Sequence, residues 1–292
     1  MPAMAVAAAL MYCTVAAAAA AEPQWQSFRW HVDSFHGAPP ERLALFLPVT
    51  IDAAPCLVQL DTGANGELVW AGQAAPGEQL SGKFVTVELA GIRRQVWADA
   101  ANLRHVTPQV CALRPVATVG NAFFEQGTLT LDLGKGRFAY AQHALLATDP
   151  AAHPLFYARW TPSGGHPLVE LQVPGSSPGY ALLDTGSVRF GLAATNAGEW
   201  AALTGGAPLA AGGAVRQFSL NSWGKQVQCF ETPVTHRIAV AGLALDQARV
   251  SYCVDQGFQS PVKLIGVLGL HALGDRTITL DYLSRRWKLS GG

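Results

Sequence analysis

The chain has 292 residues, about two lengths of an ordinary domain, which leaves room for a large core or two packed halves and excludes a small stapled scaffold. Half of its residues are hydrophobic (50%) and only 14% are charged, with 30 Gly and 18 Pro, the composition of a turn-rich globular protein and not of a disordered chain. Twenty basic residues balance twenty acidic ones. No long-range field gathers phosphates, so neither nucleic acid nor an anionic membrane surface is an expected partner, and function must reside in a local site.

From the N-terminus, residues 1–21 carry no Lys, Arg, Asp or Glu, run through an apolar stretch from Ala5 to Val15, and end in six alanines before Glu22 and Pro23. This resembles a secretory signal peptide with an A-x-A type cleavage close to Ala21. Its apolar core is shorter than a membrane span. The expected protein is exported, to the periplasm or the medium, without stable membrane association after cleavage. The terminal amine is the segment's only positive charge, and the competing reading is an uncleaved alanine-rich anchor. Leu10-Met11-Tyr12-Cys13 has lipobox spacing, but bulky Tyr12 stands where a small residue is needed, so lipidation of Cys13 is not expected.

Short β-type runs bounded by turn residues follow at residues 43–50, 84–89, 93–98, 168–173, 215–220 and 226–230. Ala90-Gly91 and Trp223-Gly224 read as hairpin tips, and helical patterns are few and brief. The chain also repeats itself. Leu57-Val58-Gln59-Leu60 leads into Asp61-Thr62-Gly63, and Tyr180-Ala181-Leu182-Leu183 leads into Asp184-Thr185-Gly186. Gly120 to Asp132 (GNAFFEQGTLTLD) and Gly269 to Asp281 (GLHALGDRTITLD) are equally long and end in near-identical strands. The first landmark is displaced by 123 residues (184 minus 61) and the second by 149 (269 minus 120), so the second half carries 26 extra residues, placed around 192–213 as a short helix or surface loop. This gives a mainly β molecule of two related halves: an N-terminal lobe over 22–148, a Pro-rich and aromatic interlobe linker over 149–166 held down by Phe156, Tyr157 and Trp160, and a C-terminal lobe over 167–292.

With Cys13 removed, Cys56, Cys111, Cys229 and Cys253 remain. An even count in an oxidising compartment favours disulfides, and Cys56 with Cys111 and Cys229 with Cys253 is the pairing that keeps each bridge within one half. In a reducing compartment four buried thiols would be the better reading. No C-x-x-C is present and the eight histidines have no ligand spacing, so no metal or other cofactor is expected.

One Asp-Thr-Gly is a common turn sequence, but two inside a repeat are specific. LDTGAN at 60–65 and LDTGSV at 183–188, with the later Val119-Gly120 and Val267-Leu268-Gly269, resemble the two lobes of a bilobal aspartic protease of the pepsin and retropepsin clan, of an exported bacterial type. The resemblance spans about residues 43–289. It implies two pseudo-symmetric β-barrel lobes with a cleft between them, and a monomeric endopeptidase that acts on a peptide or protein substrate at bonds flanked by apolar side chains. Two like charges held close together cannot both ionise, so Asp61 and Asp184 would share one proton and serve as base and acid on a water molecule. The resemblance further implies that Thr62 and Thr185 cross-link the two loops, and that Gly63 and Gly186 admit backbone N–H groups to the carboxylates. Ala64 in one loop answers Ser187 in the other; a Ser187 hydroxyl bonded to Asp184 would make Asp184 the more acidic partner.

The chain departs from the family pattern in places. Thr118 stands where an apolar residue is usual. The hairpin tip Leu89-Ala90-Gly91-Ile92 is the flap candidate by position but lacks the aromatic residue of pepsin-like flaps, and Trp97 or Trp223 could line the cleft instead. Too little sequence precedes the first lobe for an inhibitory prosegment. Two alternatives to a general endopeptidase therefore stand: a catalytically silent peptide-binding or inhibitor-like protein, and a processing protease dedicated to one partner. Gly175-Ser176-Ser177-Pro178-Gly179 fits the serine-hydrolase pattern but lacks the strand-to-helix context. Asp132 and Asp281 read as turn formers, and the eight tryptophans as packing residues of core and cleft.

Overall fold

The structure, a computed structural model, describes residues 24–34, 38–75, 78–79, 81–175, 178–222, 225–234, 237–245, 248–254 and 260–291. The expected signal segment, Cys13 and the Trp223-Gly224 tip lie outside the described residues. The molecule is mainly β. Strands between residues 29 and 119 build a seven-stranded sheet, strands between 156 and 269 a ten-stranded one, and a six-stranded sheet takes strands from both halves.

The strand Glu41–Ile51 shows why these segments become strands. Leu45, Leu47, Val49 and Ile51 alternate onto one face and are all buried, the period of two that a pleated strand requires. Asp52 and Ala53 then adopt left-handed φ values of 45° and 68°, a tight turn that sends the chain back as Ala54–Leu60 toward Asp61. Leu60 pairs in parallel with Val119, and Leu183 pairs in parallel with Leu268. The displacements of 123 and 149 residues map one pair onto the other, so the sequence repeat is a repeat of register. In the shared sheet Thr130 stands directly opposite Thr279, its counterpart at the 149-residue displacement, and the local two-fold axis passes between them.

Both disulfides pair as expected, Cys56 with Cys111 and Cys229 with Cys253. Cys111 is delivered by the helix Pro108–Leu113, whose N-terminus is capped by the Thr107 hydroxyl. Chain-entropy arguments assign each bridge about 3–4 kcal/mol. The 26-residue excess of the second half includes the helix Ala197–Thr204, capped by Asn196 and ended by left-handed Gly205, with Trp200 buried beneath it.

Two expectations are altered. Most of 149–166 is strand and not linker: Phe156–Thr161 pairs antiparallel with Gly164–Gln172 as part of the second-half sheet, where Ala158 and Leu168 find apolar burial against Leu182 and Leu264. The tip Leu89-Ala90-Gly91-Ile92 is a tight hairpin tip, but it does not hang over a cleft. Its strand pairs Glu88 with Thr50 and Val87 with Ile51, and Leu89 and Ile92 are buried beside Pro48, Val49 and Cys56. Cys56 stands five residues up its strand from Asp61, roughly 16 Å at strand rise. The apolar tip is thus a core contact at the far end of the first half. Trp97 forms an edge-to-face pair with Phe84 near the base of the same hairpin, and both rings are exposed. Gly175 and Gly179 border the connection of two antiparallel strands, not an entry into a helix.

Candidate active site

Asp61 and Asp184 leave the ends of Ala54–Leu60 and Gly179–Asp184, the strands paired in parallel with Ala117–Val119 and Leu264–Gly269. The loops after the two aspartates fold back tightly over the glycines that end the partner strands. A Cβ at Gly120 would lie 2.5 Å from the Gly66 carbonyl and 2.6 Å from that of Ala64. One at Gly269 would collide with the carbonyls of Ser187 and Phe190. This close approach is the physical content of the apolar-Gly landmarks in the repeat.

The loops are then tied to each other through fully buried threonines. The Thr62 hydroxyl donates to the Leu183 carbonyl at 2.6 Å and accepts from the Thr185 N–H at 3.0 Å. The Thr62 N–H donates to the Thr185 hydroxyl at 3.0 Å. Each carboxylate accepts from the glycine N–H two residues on, Gly63 to Asp61 and Gly186 to Asp184, both at 2.8 Å.

The glycines also show how close the two carboxyls come. A Cβ on Gly63 would lie 2.8 Å from Asp184 Oδ1 and 2.9 Å from Asp61 Oδ1. A Cβ on Gly186 would lie 2.5 Å from the Asp61 carboxyl carbon. Both carboxyls therefore converge on one point, each against the other loop's glycine. Burial pushes the Asp184 carboxyl well up from its ordinary value, the Asp61 charge pushes it further, and the N–H groups of Gly186 and Ser187 only partly oppose this. Ser187 offers Asp184 its backbone N–H, which does not outweigh desolvation beside a second carboxyl. Burial and the neighbouring charge thus drive Asp184 toward its neutral form.

Three further residues shape the site, and none was singled out from the sequence. Asn121, fully buried, donates its amide to the carbonyls of Thr62 at 2.6 Å and Ala64 at 2.9 Å. Tyr282 donates to Asn121 Oδ1 at 2.9 Å, and burial pushes its phenol up, so it stays a donor. The counterpart of Asn121 in the repeat is Leu270, whose backbone N–H alone holds Ser187. That polar-for-apolar mismatch inside the second landmark was the available signal. His166 Nε2 lies 3.1 Å from the Gly63 carbonyl, which can only accept, so the ring is protonated on Nε2. Burial pushes its pKa down, against smaller opposite effects of that carbonyl and of Asp61. Nothing in the spacing of the eight histidines marked it.

Asp132 and Asp281 behave as turn formers. Asp132 accepts from the Lys135 N–H and the Arg137 side chain, and Asp281 from the N–H groups of Leu283, Ser284 and Leu146. Among the described residues no three His, Cys, Asp or Glu side chains converge to hold a metal ion, and no helix is long and apolar enough to cross a membrane. Compared with models of known protein families and with curated proteins, the sequence matches none.

Proposed function

We propose that the protein is an exported aspartic endopeptidase of the bilobal, pepsin-like and retropepsin-like kind. The observation that carries this reading is the convergence of Asp61 and Asp184 on one point, each beside the glycine of the opposite loop. Cleaving a peptide without metal or covalent intermediate needs a base for water and an acid for the carbonyl oxygen, and a carboxyl pair holding one proton supplies both. Asp61 accepts the proton of the attacking water as its oxygen bonds to the carbonyl carbon, while Asp184 gives its proton to the carbonyl oxygen. Collapse of the resulting diol breaks the C–N bond, as Asp61 passes its proton to the leaving nitrogen and Asp184 recovers one from a diol hydroxyl. Two disulfides support an oxidising compartment and hence export.

The test is digestion of a mixed peptide library from pH 3 to 8 by wild type, Asp61→Asn and Asp184→Asn, with and without pepstatin. Cleavage by wild type alone, blocked by pepstatin, is the expected result. A silent peptide-binding relative is the second reading, favoured by the first-half hairpin tip lying far from the pair. Folded, disulfide-bonded wild type that cuts nothing at any pH would replace the first reading with the second.

A further inference from the structure

One feature of the second half is not needed to hold the two aspartates. Beyond Asp184 the loop continues through Ser187 to Arg189, Phe190 and Gly191, and there it borders an open pocket of about 550 Å³ at the seam between the halves. Pro39, Pro40 and Glu41 line it from the first half, and Arg189, Arg216, Glu231, Arg249 and His271 from the second. Glu231 is buried and attracts three guanidiniums: Arg216 Nη2 at 2.8 Å, Arg249 Nε at 3.0 Å and Arg189 Nη1 at 3.7 Å. Arg189, its side chain 9% exposed, also donates Nε to Glu41 Oε1 across the seam at 2.7 Å. Three cations face two carboxylates, an excess of one positive charge before His271 is counted.

The two outer arginines differ from Arg189. Arg216 and Arg249 remain 45% and 38% exposed, and both line the pocket while contacting Glu231, Arg216 through Nη2 and Arg249 through Nε. A guanidinium carries five donors in a planar fork that matches a carboxylate two bonds at a time. The Phe218 ring lies 5.4 Å from both the Arg189 and Arg216 guanidinium carbons and stacks on Phe190 at 6.3 Å, fixing the forks in place. Glu231 cancels part of this charge, and the pocket keeps the remainder on its open side.

The pocket's place relative to the site follows from the chain. Arg189 is five residues after Asp184, so their backbones are at most about 17 Å apart. In the first half, extending the register of Phe46 with Gln59 puts Ala44 level with Asp61, and Glu41 stands three residues further, roughly 10 Å. The Asp184 loop folds back on Gly269, so the first figure is an upper bound, and an extended peptide within it has up to about five residues.

We propose that this arginine pocket receives the carboxylate of an Asp or Glu side chain of the substrate, within about five residues of the bond that is cut. The proposal rests on the peptide-cleaving reading but is tested apart from it. Full-length Asp61→Asn protein is titrated at low salt with labelled decapeptides that carry Glu or Gln at each position in turn. The expected result is one position at which Glu binds at least ~10-fold tighter than Gln, a preference that collapses at high salt. Adding Arg216→Gln to the same background cuts that preference to within about threefold and leaves the Gln peptide unaffected. Arg249→Gln does the same, and either variant suffices if the other fails to fold. Equal binding of Glu and Gln peptides at every position, no binding of any peptide, or a preference untouched in folded Arg216→Gln and Arg249→Gln protein would overturn the proposal. Wild type that cleaves without regard to acidic residues removes the pocket's role and leaves the endopeptidase standing. Charge-dependent binding by a wild type that cleaves nothing removes the endopeptidase and leaves the pocket.

Discussion

The two aspartate loops share one frame and differ in almost everything around it. Both aspartates end a strand in the same parallel register, accept from a glycine N–H at 2.8 Å and face the opposite glycine. The Asp61 loop is held by Asn121, Tyr282 and His166, side chains without counterparts in the repeat. The Asp184 loop is held by backbone and runs on into the arginine pocket. Symmetry brings two carboxyls together, and the surroundings of the two loops then differ. A duplicated fold can thus supply an acid and a base from one motif.

The most severe way to break the pair is to neutralise either member. Asp61→Asn and Asp184→Asn should each lower kcat/KM for peptide cleavage by roughly 10³-fold or more, since either loss removes the base or the acid. The same Asp184 variant should be more resistant to urea than wild type at neutral pH. A carboxyl whose folded pKa is raised lends stability below its unfolded value and loses it as pH rises through the folded one. The advantage should vanish near pH 3, where wild type is protonated.

A milder break leaves both carboxyls but disturbs their spacing. Gly186→Ala puts a methyl 2.5 Å from the Asp61 carboxyl carbon, against 2.8 Å to the nearest atom for Gly63→Ala. Activity should fall about 100-fold for Gly186→Ala and less for Gly63→Ala, read as kcat/KM. The threonine link is also unequal. Thr62→Val strands the Leu183 carbonyl and the Thr185 N–H, whereas Thr185→Val strands only the Thr62 N–H. Denaturant unfolding should show a loss of about 1–3 kcal/mol for the first variant and less for the second. Smallest of all is Ser187→Ala. With the backbone N–H retained, the pH profile of cleavage should move by less than about half a unit, against the larger shift a hydroxyl bonded to the carboxylate would produce.

Asp281 offers a control of opposite sign outside the site. Burial opposes its ionisation, but the N–H groups of Ser284, Leu146 and Leu145 together with the Ser284 hydroxyl outweigh this and hold its pKa below the ordinary value. Its stabilisation is present above the unfolded value and is lost as pH falls through the folded one. Asp281→Asn should therefore weaken the fold at pH 7 and matter little in strong acid, the reverse of Asp184→Asn.

The frame was legible because it is repeated. LDTGAN with LDTGSV, and GNAFF with GLHAL, fix the register of two parallel pairs and the axis between Thr130 and Thr279. The disulfide pairing followed from keeping each bridge within one half. What a repeat cannot encode was missed. Asn121 and His166 act on the site only because the chain brings them there from 57 residues or more away, as Asn121 reaches Ala64 and His166 reaches Gly63. The hairpin around Ala90-Gly91 was visible as a hairpin, but the direction of its tip depends on the pairing of Val87 with Ile51, which no local pattern carries. The segment 149–166 looked like a linker because its prolines and glycines hide a strand that pairs with the next one.

The central claim is that Asp61 and Asp184 form one interacting pair in which burial and the Asp61 charge raise the Asp184 carboxyl, and carboxyl ¹³C NMR of Asp-labelled protein, titrated from acid to alkaline pH, tests it most directly. In wild type the Asp184 resonance should titrate well above the ordinary aspartate range, and in Asp61→Asn it should move down while staying raised, because burial persists when the neighbouring charge is gone. An Asp184 carboxyl that titrates in the ordinary range, at the same pH with or without Asp61, would contradict the account.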